Sequence, residues 1–374
     1  MQKKITIPLL EPSLNGNEMK YVSECINSGW VSSKGEFVRR FEEMFSLLNQ
    51  DLHSVSASSG TSALHLALIA LDIGKGDEVI VPNLTFAATV NAVLHSGAKP
   101  ILVDVDDRSW NITVEKVKPL ISKHTKAIIP VHLYGQPCDL IGLRRLADLN
   151  NLYLIEDCAE ALGSSFDGNP VGTYGDASMF SFFGNKTITT GEGGMVIFKE
   201  KFLANKAKIF RDHGMNPDKK YWHDYIGYNY RLTNLQAAVG VAQLEKIDEI
   251  LERKKLLGER YDVAFSSLGV SLQEKLPKTV SSFWLYGLAL KNKEERDFLI
   301  KYLQEKGIET RTFFSPISEQ PAYDLLDNQN EFKNSLMLAS CGISLPSAAS
   351  LSSKDQDFVI EQVVSGINFF RGLN

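Results

Sequence analysis

The stretch SMFSFFGNKTITTGEGGM (178–195) sets one lysine, Lys186, between two apolar runs and beside a glycine-rich turn. The runs ASMFSF (177–182) and GMVIF (194–198) are short and continuously apolar, which is typical of strands buried on both faces of a sheet. A lysine in apolar, glycine-lined surroundings can lose its proton and form a Schiff base with an aldehyde. A lysine in an exposed loop is the commoner alternative.

The segments around this stretch alternate between strand-like and helix-like patterns from about residue 55 to residue 200. Alternation of this kind predicts an α/β fold with a mainly parallel central sheet covered by helices, whose ligands bind beyond the carboxyl ends of the strands. The further predicted strands are EVIVP (78–82), PILVDV (100–105), KAIIPV (126–131) and LYLIED (152–157), and the predicted helices cover 61–71, 86–97 and 139–150.

The length of 374 residues favours two unequal domains, because single cores stop growing near about 250–300 residues. We assign residues 1–250 to a large domain that includes the N-terminal segment, and residues 251–374 to a smaller C-terminal α/β domain. One long helix from about 234 to 265 is predicted as the bridge. A strand at FWLYGLAL (283–290) and helices at 295–307 and about 354–370 are predicted to follow.

Composition excludes several classes of protein. The formal net charge is −5 and the basic residues form no patch, so we expect no nucleic-acid partner. There is no signal-peptide pattern and no apolar run of about 18 residues, so we expect a cytoplasmic protein that does not enter a membrane. The four cysteines form no CxxC pair, which argues against a metal site or a disulfide framework.

Four segments carry polar residues at the ends of predicted strands or the starts of helices, and together they describe a site for pyridoxal phosphate (PLP). In SASSGTSALHLAL (56–68), Gly60 and Thr61 open a helix whose free N–H groups and dipole suit a phosphate. A plain helix cap is the alternative. Ser181, five positions before Lys186, adds a hydroxyl for the same phosphate.

Two carboxylates follow the strand LYLIED. Asp157 ends that strand, and a buried carboxylate there needs a partner, which in PLP enzymes is the protonated pyridine nitrogen. Glu160 lies three residues on and is placed to reach the phenolic edge of the same ring. A helix N-terminal carboxylate, favoured by the dipole, is an equally good interpretation of Glu160.

The last candidates are Asn229, in GYNYRLTNLQAAVG (227–240), and Phe86, in PNLTFAAT. Thr233 or Asn234 is expected to cap the helix that follows Asn229. Phe86 is placed to stack on the cofactor ring, although a core phenylalanine is the commoner case.

These segments resemble the DegT/DnrJ/EryC1/StrS family of sugar-nucleotide aminotransferases, within the fold type I, aspartate-aminotransferase-like superfamily. The resemblance extends along nearly the whole chain. It includes EPSLNGNE, SGWVSSKG, GTSALHLAL, GDEVIVPNLTFAAT, DVDDRSWNI, PVHLYGQPCD, EDCAEALGS, FSFFGNKTITTGEGGM and GYNYRLTNLQAA.

The resemblance implies a role for each candidate. Lys186 would bind PLP covalently and transfer the proton, Asp157 would pair with the pyridine nitrogen and Glu160 would contact the cofactor hydroxyl. Phe86 would stack on the ring, and the phosphate would be held by Gly60, Thr61 and Ser181. Asn229 would reach the phosphate of the neighbouring subunit's cofactor, which implies a homodimer with shared active sites.

The resemblance also implies the reaction: transfer of an amino group from L-glutamate to C4 of a nucleotide-linked 4-keto-6-deoxy sugar. GDP-4-keto-6-deoxymannose, converted to GDP-perosamine, is the first choice, and a dTDP- or UDP-linked keto sugar is the alternative. Arg231 and Arg311 are candidates for pairing with substrate anions. Many members have Pro-Leu-His where this chain has Pro316-Ile317-Ser318, so a sugar contact made by that histidine is in doubt.

Two other function classes compete with the aminotransferase. GNKT resembles part of a nucleotide-binding loop, but GxxxxGK[ST] is missing because Asn185 stands where glycine should precede Lys186. A non-catalytic PLP-binding regulator is possible on the same fold, and the lack of a basic patch argues against it.

Overall fold

The computed structural model describes residues 6–324, 326 and 331–373. The helices are α1 Glu18–Ser28, α2 Glu36–Leu48, α3 Gly60–Ala70, α4 Ala88–His95, α5 Val114–Val117, α6 Leu140–Leu149, α7 Lys201–Arg211, α8 Asn234–Leu244, α9 Ile247–Phe265, α10 Lys293–Glu305, α11 Lys333–Cys341 and α12 Ser353–Arg371. The strands are β1 His53–Ala57, β2 Glu78–Pro82, β3 Lys99–Val103, β4 Thr125–Ile128, β5 Tyr153–Asp157, β6 Ser165–Phe166, β7 Asn169–Pro170, β8 Ala177–Ser181, β9 Gly194–Phe198, β10 Ser271–Leu272, β11 Thr279–Val280, β12 Tyr286–Ala289, β13 Arg311–Thr312 and β14 Gly342–Leu345.

The central sheet has seven strands in the order β1-β9-β8-β5-β4-β2-β3. Pairing is parallel from β8 through β3, and β9 runs antiparallel to both of its neighbours. The prediction of an α/β fold with a mainly parallel sheet is therefore confirmed. Every predicted strand and helix of this region is present, with bounds that differ by up to three residues.

Strand β1 was not predicted, because its sequence HSVSA alternates polar and apolar residues and is too short to stand out. Its serines are nevertheless buried, because hydrogen bonds satisfy their polar groups. Both the backbone N–H and the hydroxyl of Ser56 donate to Glu42 Oε1, at 2.9 and 2.8 Å, and Arg211 Nη1 donates to the same oxygen at 2.6 Å. A side chain supplied by α2 thus makes this serine acceptable inside the sheet.

The prediction of one helix over 234–265 is wrong, because α8 ends at Leu244 and α9 begins at Ile247. At the break, the Glu245 carboxylate accepts hydrogen bonds from Tyr21 Oη at 2.7 Å and Arg40 Nη2 at 2.6 Å. These contacts tie the end of α8 to α1 and α2, while α9 leaves towards a second sheet. Apolar spacing is the same on both sides of the break, so periodicity does not reveal it.

The second sheet has the order β10-β12-β14-β13, and its strands pair antiparallel. Helices α9, α10 and α12 cover it through a core that includes Tyr261, Phe265 and Leu303. The predicted strand at 283–290 is shorter in the structure, where β12 covers Tyr286–Ala289. The domain division at 250/251 falls within α9 and stays a prediction. Among the described residues, no helix is long and apolar enough to cross a bilayer.

The buried side chain of Asn234 joins the N-terminal helices to α8. Its Oδ1 accepts from Phe37 N at 2.9 Å, and its Nδ2 donates to Trp30 O at 2.6 Å and to Cys25 Sγ at 3.1 Å. Thr233, not Asn234, caps α8, through a capping box with Gln236. The Asn234 side chain therefore binds a backbone N–H, a backbone carbonyl and a thiol that are distant in sequence, and it does not cap α8.

We expect Asn234→Ala to lower the free energy of unfolding by about 2–3 kcal/mol, because it leaves the Phe37 N–H and the Trp30 carbonyl without a partner. Urea denaturation measures the change. Asn205→Ala, at an exposed position of α7, is the matched control and should change stability by less than about 0.5 kcal/mol. Equal stability of the two variants would contradict the anchoring role.

Candidate active site

A cavity of about 380 Å³ lies beyond the carboxyl ends of the parallel strands. It brings together seven predicted site residues from distant parts of the chain, and also Arg311, a candidate for pairing with substrate anions. The seven are Gly60, Thr61, Phe86, Asp157, Glu160, Ser181 and Lys186. The convergence follows from topology, since parallel strands deliver their carboxyl ends to one edge of the sheet.

One wall of the cavity is the start of α3. Ser59 caps the helix through a capping box with Ser62, and the first-turn N–H groups of Gly60 and Thr61 have no intrahelical acceptor. A Cβ built on Gly60 would lie 2.9 Å from Ser181 Cβ, so glycine lets the helix start approach the end of β8. Free N–H groups at a helix N-terminus beside a hydroxyl form a cradle that suits a phosphate group.

Asp157 is buried at the end of β5. Its Oδ2 accepts from Thr89 Oγ1 at 2.8 Å, and its Oδ1 accepts from Ala159 N at 3.1 Å. Burial raises the pKa of this carboxyl, whereas these two hydrogen bonds and the positive charge of Lys186 act in the opposite direction. A buried carboxylate aimed into a cavity suits a cationic ring nitrogen, as the PLP prediction requires.

Lys186 reaches the cavity from the loop between β8 and β9. Its Nζ lies 3.7 Å from the ring centroid of Trp284, and within the described chain no carboxylate oxygen lies within salt-bridge distance of it. Burial lowers the pKa of this amine, the charges of Glu160 and Asp157 raise it, and Arg311 lowers it. A lowered pKa makes the neutral, nucleophilic form accessible, which is what Schiff-base chemistry needs.

Glu160 lies in the turn after β5 and not in a helix, so the dipole interpretation does not apply. Its Oε2 accepts from the backbone N–H of Tyr134 at 2.8 Å. Tyr134 has a positive φ of 56°, and its buried ring stacks on those of Trp284 and Phe314. The carboxyl is thus held at the cavity wall, within electrostatic reach of Lys186.

Phe86 lies at the cavity, whereas Asn229 lies outside it. Phe86 lines the cavity with 60% of its surface exposed, and its ring lies 5.9 Å from that of Phe314, so it is available to stack on a ligand. Asn229 does not line the cavity formed by its own chain. It is exposed, and its Oδ1 accepts from Arg231 Nε at 3.1 Å.

Two other sequence-based interpretations change with the structure. Arg231 pairs with Asp212 at 2.8 Å and does not line the cavity, which weakens it as a substrate contact. Ser318 and Asn83 form a reciprocal pair, in which Ser318 N donates to Asn83 Oδ1 at 2.9 Å and Asn83 Nδ2 donates to Ser318 Oγ at 3.0 Å. The serine of Pro-Ile-Ser thus joins the C-terminal segment to the loop after β2.

Sequence reasoning missed Trp284, Thr89 and Tyr134. Trp284 was hidden inside the run FWLYGLAL, which we interpreted as a strand, and it lies about a hundred residues from Lys186 in the chain. Thr89 lies three residues after Phe86 and was absorbed into a predicted helix. No local pattern signals that a side chain will turn towards a distant carboxylate.

His132, Glu156 and Cys158 form a compact buried group that resembles a metal-binding set. Hydrogen bonds already occupy the polar atoms of His132 and Glu156. Glu156 accepts from three backbone N–H groups of the segment 172–175 at 2.6–2.8 Å, and from His132 Nε2 at 3.1 Å. His132 Nδ1 accepts from Cys138 N at 3.1 Å. The group therefore orders the turn before β8, and the expectation of no metal stays a prediction.

The titration of Glu160 should appear in the pH dependence of stability. Burial raises its pKa from 4.5 to about 7. Between about pH 4.5 and 7 the folded chain keeps a proton that the unfolded chain has lost, so the free energy of unfolding falls as the pH rises. We expect Glu160→Gln, dialysed free of ligand, to lose less Tm than the parent from pH 5 to pH 7.5.

The exposed Glu259 of α9 provides the control, and Glu259→Gln should follow the parent at both pH values. Scanning calorimetry at the two pH values makes the measurement. If the Tm of Glu160→Gln and of the parent fell in parallel, the raised pKa would be contradicted.

A model described as the DegT/DnrJ/EryC1/StrS aminotransferase family matches residues 12–364. GDP-perosamine synthase of Escherichia coli O157:H7 is 45% identical over 96% of this chain and 97% of its own length. GDP-perosamine synthase of Vibrio cholerae is 46% identical over 91% of this chain and 94% of its own length.

Among solved structures, a putative sugar aminotransferase of Streptococcus pneumoniae in its PMP form superposes with a TM-score of 0.92. It is 29% identical, with 98% of this chain and 99% of that chain covered. The chain therefore belongs to the DegT/DnrJ/EryC1/StrS aminotransferase family and is an α/β enzyme of the PLP-dependent type.

Proposed function

We propose that the enzyme transfers the amino group of L-glutamate to C4 of GDP-4-keto-6-deoxymannose, giving GDP-perosamine and 2-oxoglutarate. The observation that carries the proposal is the similarity, at 45% and 46% identity over nearly the full chain, to two proteins named GDP-perosamine synthase. The alternative is a dTDP- or UDP-linked keto sugar. The aminotransferase family model and the two synthases favour an enzyme over a non-catalytic regulator.

Lys186 is the residue to which we assign catalysis. Bound PLP supplies an electron sink that stabilises negative charge on the reacting carbon. Lys186 would attach the cofactor and, once released, its Nζ would take the proton from the α-carbon of glutamate and later deliver one to C4 of the sugar. The lowered pKa of this amine supports the role, because its neutral form is the proton acceptor.

The other cavity residues would bind and orient the cofactor. The Asp157 carboxylate, aimed by Thr89, would hold the proton on the pyridine nitrogen. The N–H groups of Gly60 and Thr61, together with the Ser181 hydroxyl, would bind the phosphate. Phe86 would stack on one ring face, and Glu160 would lie at the phenolic edge.

We assign a second subunit to the site. Asn229 lies outside the cavity of its own chain on an exposed segment, which is consistent with a contact to the phosphate of the partner subunit's cofactor. A homodimer with two shared sites follows.

We also propose a cytoplasmic location, since the four cysteines are buried free thiols, as is usual in a reducing compartment.

The substrate proposal is tested by supplying glutamate with a panel of GDP-, dTDP- and UDP-linked 4-keto-6-deoxy sugars. We expect the highest kcat/KM with GDP-4-keto-6-deoxymannose, and a product whose mass and NMR spectrum place nitrogen on C4. Release of 2-oxoglutarate measures turnover. A preference for a dTDP or UDP sugar, or amination at C3, would overturn the substrate and leave the cofactor assignment standing.

The same assay includes two lysine variants as controls. Lys186→Ala should abolish turnover, whereas Lys201→Ala, an exposed lysine at the start of α7, should behave as the parent does. Near-normal turnover by Lys186→Ala would refute the catalytic assignment.

Shared active sites predict complementation between defective subunits. Lys186→Ala and Asn229→Ala proteins are each expected to be nearly inactive at a limiting cofactor concentration. After subunit exchange, half of the dimers are mixed and each holds one intact site, so activity should recover to about a quarter of the parental value. Exchange is confirmed with two affinity tags. No recovery in confirmed mixed dimers would contradict the shared site.

A further inference from the structure

The ring of Trp284 lies directly against the amine of Lys186, with the centroid 3.7 Å from Nζ. Trp284 belongs to the segment between β11 and β12 of the second half of the chain, and it is 3% exposed. The face of an indole carries negative charge density and attracts a cation placed above it. The Trp284 ring, from the second half of the chain, is thus the surface against which the amine of Lys186, from the first half, lies.

Trp284 is held in place at three points. Its Nε1 donates to the carbonyl oxygen of Asn185 at 2.8 Å, which ties the indole to the residue before Lys186. Its own carbonyl oxygen accepts from Nζ of the buried Lys254 at 3.2 Å, and Lys254 Nζ also donates to Ser347 O at 2.7 Å. The ring stacks on that of Tyr134 at 6.4 Å. The indole is therefore a fixed surface.

Several charged groups face Lys186, but none among the described residues fixes the position of its amine through an ion pair. Asp157 and Glu160 face it from the end of β5, Arg311 faces it from β13, and Glu192 lines the same cavity from the turn before β9. None of the described carboxylates lies within salt-bridge distance of its Nζ. The Trp284 ring, whose centroid is 3.7 Å from Nζ, contacts the amine instead.

We propose that Trp284 is a positioning residue, whose ring holds Lys186 near the reacting carbon while this lysine is protonated and not bonded to the cofactor. The inference rests on the proposed role of Lys186. A lysine that is alternately bonded and released must stay close to the reacting carbon, and a long flexible side chain in a cavity loses that position unless something binds it. The indole face binds the protonated amine, and the hydrogen bond to Asn185 O keeps the face aligned with it.

The test measures the titration of Lys186 in the holoenzyme held in its aminated form by excess glutamate, where the lysine is free. Acetic anhydride is added over a range of pH values, and mass spectrometry quantifies labelling of the Lys186 peptide. The variants are Trp284→Leu, which removes the ring, and Trp284→Phe, which keeps a ring face and most of the buried volume. Phe314→Leu is the matched control, because Phe314 lines the same cavity but its ring is not the one over which Nζ lies.

We expect Trp284→Leu to lower the midpoint of labelling by about one pH unit, which makes labelling about tenfold faster below the midpoint. Trp284→Phe should show a smaller shift and should fold if the leucine variant does not. Phe314→Leu should match the parent. An unchanged midpoint in both Trp284 variants, or an equal shift in Phe314→Leu, would overturn the inference.

Borohydride reduction of the PLP form separates this inference from the proposed function. Reduction should attach the cofactor to Lys186 in the parent and in the Trp284 variants alike. Attachment to another lysine would overturn both the catalytic assignment and the inference. Attachment to Lys186 with an unchanged labelling midpoint would overturn the positioning role alone.

Discussion

The cavity holds several ionisable groups in surroundings that contain little water. Removing their charges from water costs free energy, and the surrounding structure must offset that cost. Asp157 and Glu160 are both buried, and Lys186 lies close enough to influence the pKa of each carboxyl. Burial disfavours each charge separately, while the opposite charges favour one another. Burial also lowers the pKa of the Lys186 amine, so the electrostatic cost of the site contributes to its chemistry.

Backbone and neutral donors, more than ion pairs, keep these groups in position. Thr89 and the N–H of Ala159 orient Asp157, and the Tyr134 N–H orients Glu160. One residue before Asp157, Glu156 faces the other side of β5 and gathers the backbone of 172–175. Strand geometry explains the division, because successive side chains point to opposite faces of a sheet. Asp157 thus lines the cavity, and Glu156 stabilises the fold.

The two halves of the chain meet at the lysine. The loop between β8 and β9 carries Lys186, and the segment before β12 carries the ring that lies against it. The buried amine of Lys254 joins the carbonyls of Trp284 and Ser347, and burial lowers its pKa to about 7. These contacts connect the loop that carries Lys186 to the second sheet, although the two are far apart in sequence.

The amino-acid sequence by itself determined the α/β fold, the strands of the central sheet other than β1, and the residues beside strand ends or at helix starts that line the cavity. Apolar runs and their punctuation are local properties, and parallel strands bring their carboxyl ends to a common edge. The tertiary structure alone decided the break between α8 and α9, the anchoring role of Asn234 and the contact of Trp284 with Lys186. Each of these depends on which distant group lies opposite a side chain, and periodicity carries no information about that.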